Sequence, residues 1–270
     1  LESDVATLKP GCGWLPRDWL PDAEVRRCVR NLARDTDSPL LEYGHPYGHR
    51  PLREQLTRRL HERGVPAMPQ QIILTDAGTQ AIDLVCRFLL EPGDTVLIDD
   101  PGYFNFQALL RAHRAQLVGV PYTPNGPDIE CMAQLLKQHK PRLYITNSAF
   151  HNPTGAVLTP AVAHKLLRLA EQNDMLIIED DIFADIEHVE SPRLAAFDGL
   201  ERVIQVGSFS KTLSASVRCG YVAARPDWIE KIVDLKLATL FSSSTFGAAL
   251  VHELLRQGSY RRYVEALRLR

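Results

Sequence analysis

The strongest restriction on the fold is an alternation along the chain: short apolar runs rich in Val and Ile, each followed by ten to fifteen residues of helical pattern. The runs lie at 72–74, 96–98, 117–120, 143–146, 176–178, 203–206 and 221–224. They are continuously apolar, which predicts strands covered on both faces. Helices are predicted over 51–63, stopped by Gly64, and over 79–90, stopped by the Glu91-Pro92-Gly93-Asp94 turn. A third is predicted over 160–172, where Thr159 caps and Pro160 occupies the first turn. Repeated strand–helix units predict an α/β class with a mostly parallel central sheet and helices on both faces. Ligands in such sheets gather beyond the carboxyl ends of the strands. The residues found there are Gly78-Thr79-Gln80, Tyr103, Asn152, Asp180 and the segment from Ser208 to Lys211. Five strand ends are therefore expected to converge on one site.

Composition narrows the function. The 270 residues carry 31 Lys plus Arg against 33 Asp plus Glu, a net charge of −2, and 45% are hydrophobic. That is enough apolar material for a sizeable core, without the basic excess of a nucleic-acid-binding module. The carboxy-terminal arginines Arg256, Arg261, Arg262, Arg268 and Arg270 read as a solvated helix face. Asp83 and Arg87 interrupt the most apolar window, so no membrane span is expected, and no amino-terminal signal pattern is present. Five scattered cysteines without a C-x-x-C pair suggest neither a disulfide framework nor a zinc site, and fit a reducing cytoplasm. No metal is expected. The chain starts at Leu1 rather than Met and stops within a basic helical stretch, which is expected of a fragment of something longer.

Lys211 stands out because it follows an apolar strand and is flanked by Ser208, Ser210, Thr212 and Arg218, an anion-binding setting. A nucleoside-triphosphate loop fails here, since Ser210 stands where a glycine must precede the lysine and the acidic strand ending at Asp180-Asp181 comes before it rather than after. A dinucleotide fingerprint fails too, because Gly11-Cys12-Gly13 runs into Pro16 and opens no βαβ unit. Pyridoxal phosphate needs a lysine for covalent attachment, an acid to keep its pyridine nitrogen protonated, an aromatic face and phosphate ligands. This chain offers each of them.

The motifs Asn152-Pro153-Thr154-Gly155, Asp180, Ser208-x-Ser210-Lys211 with Arg218-x-Gly220-Tyr221, and Tyr43-Gly44-x-x-x-Gly48 with Leu52-Arg53 occur in one order along nearly the whole chain. Together they resemble the fold-type I, pyridoxal 5'-phosphate-dependent aminotransferases of class I/II. The resemblance implies a large domain over residues 51–257, an amino-terminal arm and start of the fold over 1–50, and over 258–270 the start of a helix toward a small domain that is absent or truncated. It implies that Lys211 carries the cofactor and moves the substrate proton, that Asp180 pairs with the pyridine nitrogen, and that Asn152 bonds the phenolic oxygen. Tyr103 would cover the ring face. Gly78, Thr79, Gln80, Ser208, Ser210 and Arg218 would cradle the phosphate at a helix amino terminus. Tyr43 would reach the phosphate of a partner subunit, making the active unit a homodimer. Read alone, each has an ordinary alternative: a capping or solvated carboxylate for Asp180, an Asn-Pro turn for Asn152, packing for Tyr103 and Tyr43.

Two departures stand out. Many relatives place a tyrosine just after the aspartate, where this chain has Ile182 and Phe183. One neutral hydrogen bond is worth about 0.5–1.5 kcal/mol, too little to abolish cofactor binding. The chain also ends where the small domain, with its substrate-carboxylate arginine, should begin. Two readings follow. The segment Gly11-Cys12-Gly13-Trp14-Leu15-Pro16-x-x-Trp19-Leu20-Pro21, leading into Tyr43-Gly44-His45-Pro46, resembles the aminotransferase-like effector domain of MocR-type regulators in the GntR family. That reading implies transcription regulation, an amino acid or amine effector, and DNA contact only through residues outside this chain. The alternative is a working aminotransferase acting on an amino acid and a 2-oxo acid.

Overall fold

The computed structural model describes residues 14–35, 43–188 and 191–270. Each predicted apolar run forms a strand: β1 (Ile72–Thr75), β2 (Thr95–Asp100), β3 (Gln116–Thr123), β5 (Leu143–Thr146), β6 (Leu176–Asp180), β7 (Val203–Ser208) and β8 (Gly220–Ala223). A two-residue strand β4 (Gly126–Pro127) was not predicted; it carries no Val or Ile and exists because it pairs back onto β3 through Tyr122 and Thr123. The sheet order is β1-β8-β7-β6-β5-β2-β3-β4. From β7 through β3 neighbouring strands are parallel, whereas β8 runs antiparallel to both β1 and β7. Strand β1 therefore points the same way as β7. The carboxyl ends of β1, β2, β5, β6 and β7 all reach one edge of the sheet, and β8 starts from it.

The helices are α1 (Asp22–Arg34), α2 (Arg50–Glu62), α3 (Gly78–Leu89), α4 (Phe104–Ala112), α5 (Ile129–His139), α6 (Pro160–Gln172), α7 (Leu194–Asp198), α8 (Pro226–Thr239), α9 (Thr245–Arg256) and α10 (Ser259–Arg268). Helix α6 has the predicted limits, with Thr159 accepting the Val162 N–H at its start. Alternate strand residues feed two separate cores. Ile73, Val96, Ile98, Ile178 and Val206 pack against α3, α4 and α8 on one face. Leu74, Leu97, Tyr144, Ile177 and Tyr221 pack against α1, α2, α5, α6, α7, α9 and α10 on the other. Among the described residues no helix is long and apolar enough to cross a membrane.

Gly207 on β7 has no room for a side chain beside its neighbour on β8. The Tyr221 ring lies across it, so that an added Cβ would sit 2.3 Å from the ring carbon bearing the hydroxyl.

Candidate cofactor site

The alternation that builds the two cores also sorts three consecutive acids at the end of β6. Glu179 points to the α7 face, where its carboxylate accepts the N–H groups of Leu194 and Ala195 and the Ser148 hydroxyl. Asp181 pairs with the buried Arg193, 2.9 Å away, and accepts from Gln205. Asp180 faces the other way, toward the sheet edge. Its carboxylate accepts from the Ile182 N–H at 3.2 Å and feels the charge of Lys211. Burial pushes this carboxyl up to about 7, and neither the Ile182 bond nor the pull of Lys211 compensates. Among the described residues no group of three or more His, Cys, Asp and Glu side chains is placed to hold a metal ion.

Helix α3 opens beside this carboxylate. A methyl group on Gly78 would touch Ser208 at 3.6 Å and Ile182 at 3.8 Å, so the helix start sits directly on the ends of β6 and β7. Its N-cap residue is Ala77, which has no side-chain oxygen to offer, so no side chain caps this helix end. The first N–H groups of a helix without such a cap favour an anion. Gln80 turns its side chain back onto the Asp76 N–H at 2.6 Å and Thr79 is exposed. Ser208 and Ser210 bond through their hydroxyls at 3.0 Å, and Ser208 also donates to the Cys219 carbonyl. Arg218, next to Cys219, is exposed and adopts a left-handed backbone, φ 52°. Lys211 follows in the turn after β7 and is half-buried.

Asn152 lies in the loop between β5 and α6, its N–H donating to the Asn147 side chain at 2.9 Å. Tyr103 precedes α4, with its ring edge-on to Phe104 and Phe106. Phe183 is buried and tilted against Phe150 at 6.4 Å, occupying apolar space after the aspartate. Tyr43 stands apart on the surface, 87% exposed and touching the Phe241 ring edge-on at 5.1 Å. Gly11, Cys12 and Gly13 lie outside the described residues. Sequence reasoning missed Asp99, Asn147 and His151, which form a buried hydrogen-bonded group behind the Asn152 loop. The usable signal was local: Asn147 and His151 both stand just before the Asn-Pro-Thr-Gly motif, and Asp99 precedes the Pro-Gly-Tyr turn.

Three comparisons place this geometry among known proteins. The chain is 30% identical to the 2-aminoadipate transaminase of Thermus thermophilus over 263 residues, covering 93% of this chain and 65% of the relative. It is 28% identical to the HTH-type transcriptional regulator YdfD of Bacillus subtilis over 269 residues, 99% of this chain and 55% of the relative. The crystal structure of Pyrococcus horikoshii kynurenine aminotransferase, a complex with PMP, superposes with a TM-score of 0.89 at 26% identity, covering 95% of this chain and 65% of that one. The chain thus spans between about half and two-thirds of the length of these proteins. The family model described as aminotransferase class I and II matches residues 20–270, and with the mixed sheet and its converging strand ends this establishes that the chain belongs to the class I and II aminotransferase family.

Proposed function

We propose that this chain is the pyridoxal 5'-phosphate-binding, ligand-sensing body of a MocR-type transcriptional regulator of the GntR family, with DNA contact made by residues outside this sequence. The observation that carries the cofactor reading is Asp180, a buried carboxyl beside Lys211 whose burial outweighs the available positive charge. A pyridine nitrogen is the partner that would hold it ionised at neutral pH. The side-chain-uncapped start of α3 beside Ser208 fits a phosphate dianion. The residues present therefore fit the cofactor. The match to an HTH-type regulator over 99% of this chain supports the sensing role. A second reading, an active aminotransferase transferring an amino group from an amino acid to a 2-oxo acid, is favoured by the 30% identity to a transaminase.

Bound at this site, pyridoxal phosphate supplies an electron sink for bonds made and broken at the substrate α-carbon. Gly78, Thr79 and Gln80 would bind the phosphate through backbone N–H groups, joined by the hydroxyls of Ser208 and Ser210 and the guanidinium of Arg218. Asp180 would hold a proton on the ring nitrogen. Asn152 would orient the phenolic oxygen, and Tyr103 would exclude water from one ring face. Lys211 would anchor the cofactor covalently and then carry the proton at the α-carbon. A homodimer in the cytoplasm completes the proposal, supported by the exposed Tyr43 and Phe241 and by four free thiols among the described residues.

Borohydride reduction after incubation with pyridoxal phosphate, followed by peptide mass analysis, should leave a pyridoxyl increment on Lys211. An unmodified Lys211 overturns the cofactor assignment. With a panel of amino acids, a spectral change that persists without turnover supports sensing. Net conversion of a 2-oxo acid to its amino acid instead supports the transaminase.

A further inference from the structure

The backbone pairing of β2 with β5 runs from Val96–Leu143 to Ile98–Ile145 and stops there. Beyond that point the side chain of Asp99 takes over. It is buried, and its two oxygens accept from four donors, all on β5 or the loop that follows: the Tyr144 hydroxyl, Thr146 Oγ1 at 3.0 Å, the Asn147 N–H at 3.2 Å and His151 Nε2 at 3.2 Å. His151 is itself buried, with its ring stacked on Tyr122 of β3 at 3.7 Å and 10° between planes. A carboxylate only accepts, so Nε2 carries a proton. Nδ1 faces Thr154 Oγ1 at 2.8 Å, an oxygen that also accepts the Ala156 N–H. Asn147 extends the group toward the site: its amide donates to the Asp180 carbonyl at 2.5 Å while its oxygen accepts the Asn152 N–H at 2.9 Å.

We propose that Asp99 and His151 form the positioning unit of the site, setting the path of the Asn152 loop and, through Asn147, its distance from the strand end that bears Asp180. Neither residue touches reacting atoms. Asp99 anchors the start of the loop at Asn147, His151 anchors its middle, and the Tyr122 ring keeps the imidazole in plane. The effect on bound pyridoxal phosphate rests on the cofactor reading above; the effect on the loop does not.

The test separates the two. His151→Phe keeps a ring on Tyr122 and loses both ring hydrogen bonds, whereas His151→Gln restores an amide donor toward Asp99. In cofactor-free protein, amide hydrogen exchange at Asn152 and Ala156 should rise about tenfold in His151→Phe, the scale of one buried hydrogen bond to a charged group, with the β5–β6 ladder unchanged. The same variant should bind pyridoxal phosphate about tenfold more weakly and shift the pH midpoint of the bound chromophore, and His151→Gln should recover most of both. Normal cofactor uptake with unchanged exchange and midpoint in His151→Phe overturns the proposal and leaves the cofactor reading intact. Faster exchange in His151→Phe, with an unsubstituted protein that takes up no pyridoxal phosphate, sustains the loop assignment and overturns the cofactor reading. If His151→Phe does not fold, Asp99→Asn, which sets an amide donor among the four groups that donate to this side chain, must produce the same exchange and spectral changes, or the proposal falls.

Discussion

Asp180 and Glu179 are neighbours whose carboxyls are both pushed up to about 7 by burial, yet they do different work. Glu179 is held by two backbone N–H groups and a hydroxyl, whereas Asp180 has the single Ile182 N–H and the charge of Lys211. For each, the folded value lies above the unfolded one, so between about 4 and about 7 the unfolded chain has released a proton that the folded chain keeps. Stability of the cofactor-free protein should therefore fall as pH rises through that window. Asp180→Asn should flatten the fall and raise the melting temperature at pH 7, while weakening pyridoxal phosphate retention. Thermal scans across pH, with and without the cofactor, measure both; a variant that loses stability at pH 7 without cofactor contradicts the account. Asp185 has the opposite sign, since two arginines hold its carboxyl well below the usual range despite burial. Its contribution is present above the unfolded pKa and disappears in acid, outside the Asp180 window.

Elements are joined by such groups as much as by apolar packing. Asp185 accepts from Arg59 at 2.5 Å, from Arg63 and from the Tyr260 hydroxyl at 2.5 Å, and Arg268 donates to its carbonyl. Tyr260 reaches Thr212, next to Lys211, at 2.5 Å. One carboxylate thus ties α2 and α10 to the turn that carries the lysine. Asp185→Ala would strand two part-buried guanidinium groups, and urea unfolding should show a loss of about 3–5 kcal/mol. Gly207→Ala should cost about 1–3 kcal/mol, because its methyl would collide with the Tyr221 ring between β7 and β8. Strands and the α6 helix were legible in the sequence because burial on both faces and a Thr-Pro start leave local signatures. The direction of β8 was not, since its four residues read alike either way and only pairing to β1 and β7 decides it. Asp185 and its arginines escaped for the same reason as Asp99 and His151: the partners are 122 and 126 residues apart in the first group and 52 in the second, with no periodicity to link them. The placement of Asn152, Asp180 and Lys211 at or beyond strand ends was legible because the strands themselves could be placed.

At the scale of the molecule, the exposed apolar residues Tyr43, Leu240, Phe241 and Phe246 are the surface on which the proposed homodimer rests. Phe241→Asp should shift sedimentation from dimer to monomer at micromolar concentration without lowering the melting temperature of the cofactor-free chain; an unchanged dimer would place the contact elsewhere. Strand order carries a further consequence. The edge strand β1 has β8 as its sheet neighbour, so Ile72 meets its hydrogen-bonding counterpart at Ala223, near the end of the β-sheet in sequence. During synthesis β1 therefore waits for β8, and the cradle between α3 and the Ser208 turn closes only after both have emerged. A nascent chain holds Gly78, Thr79 and Gln80 of this site long before Lys211 and Arg218 follow and it can hold a vitamin.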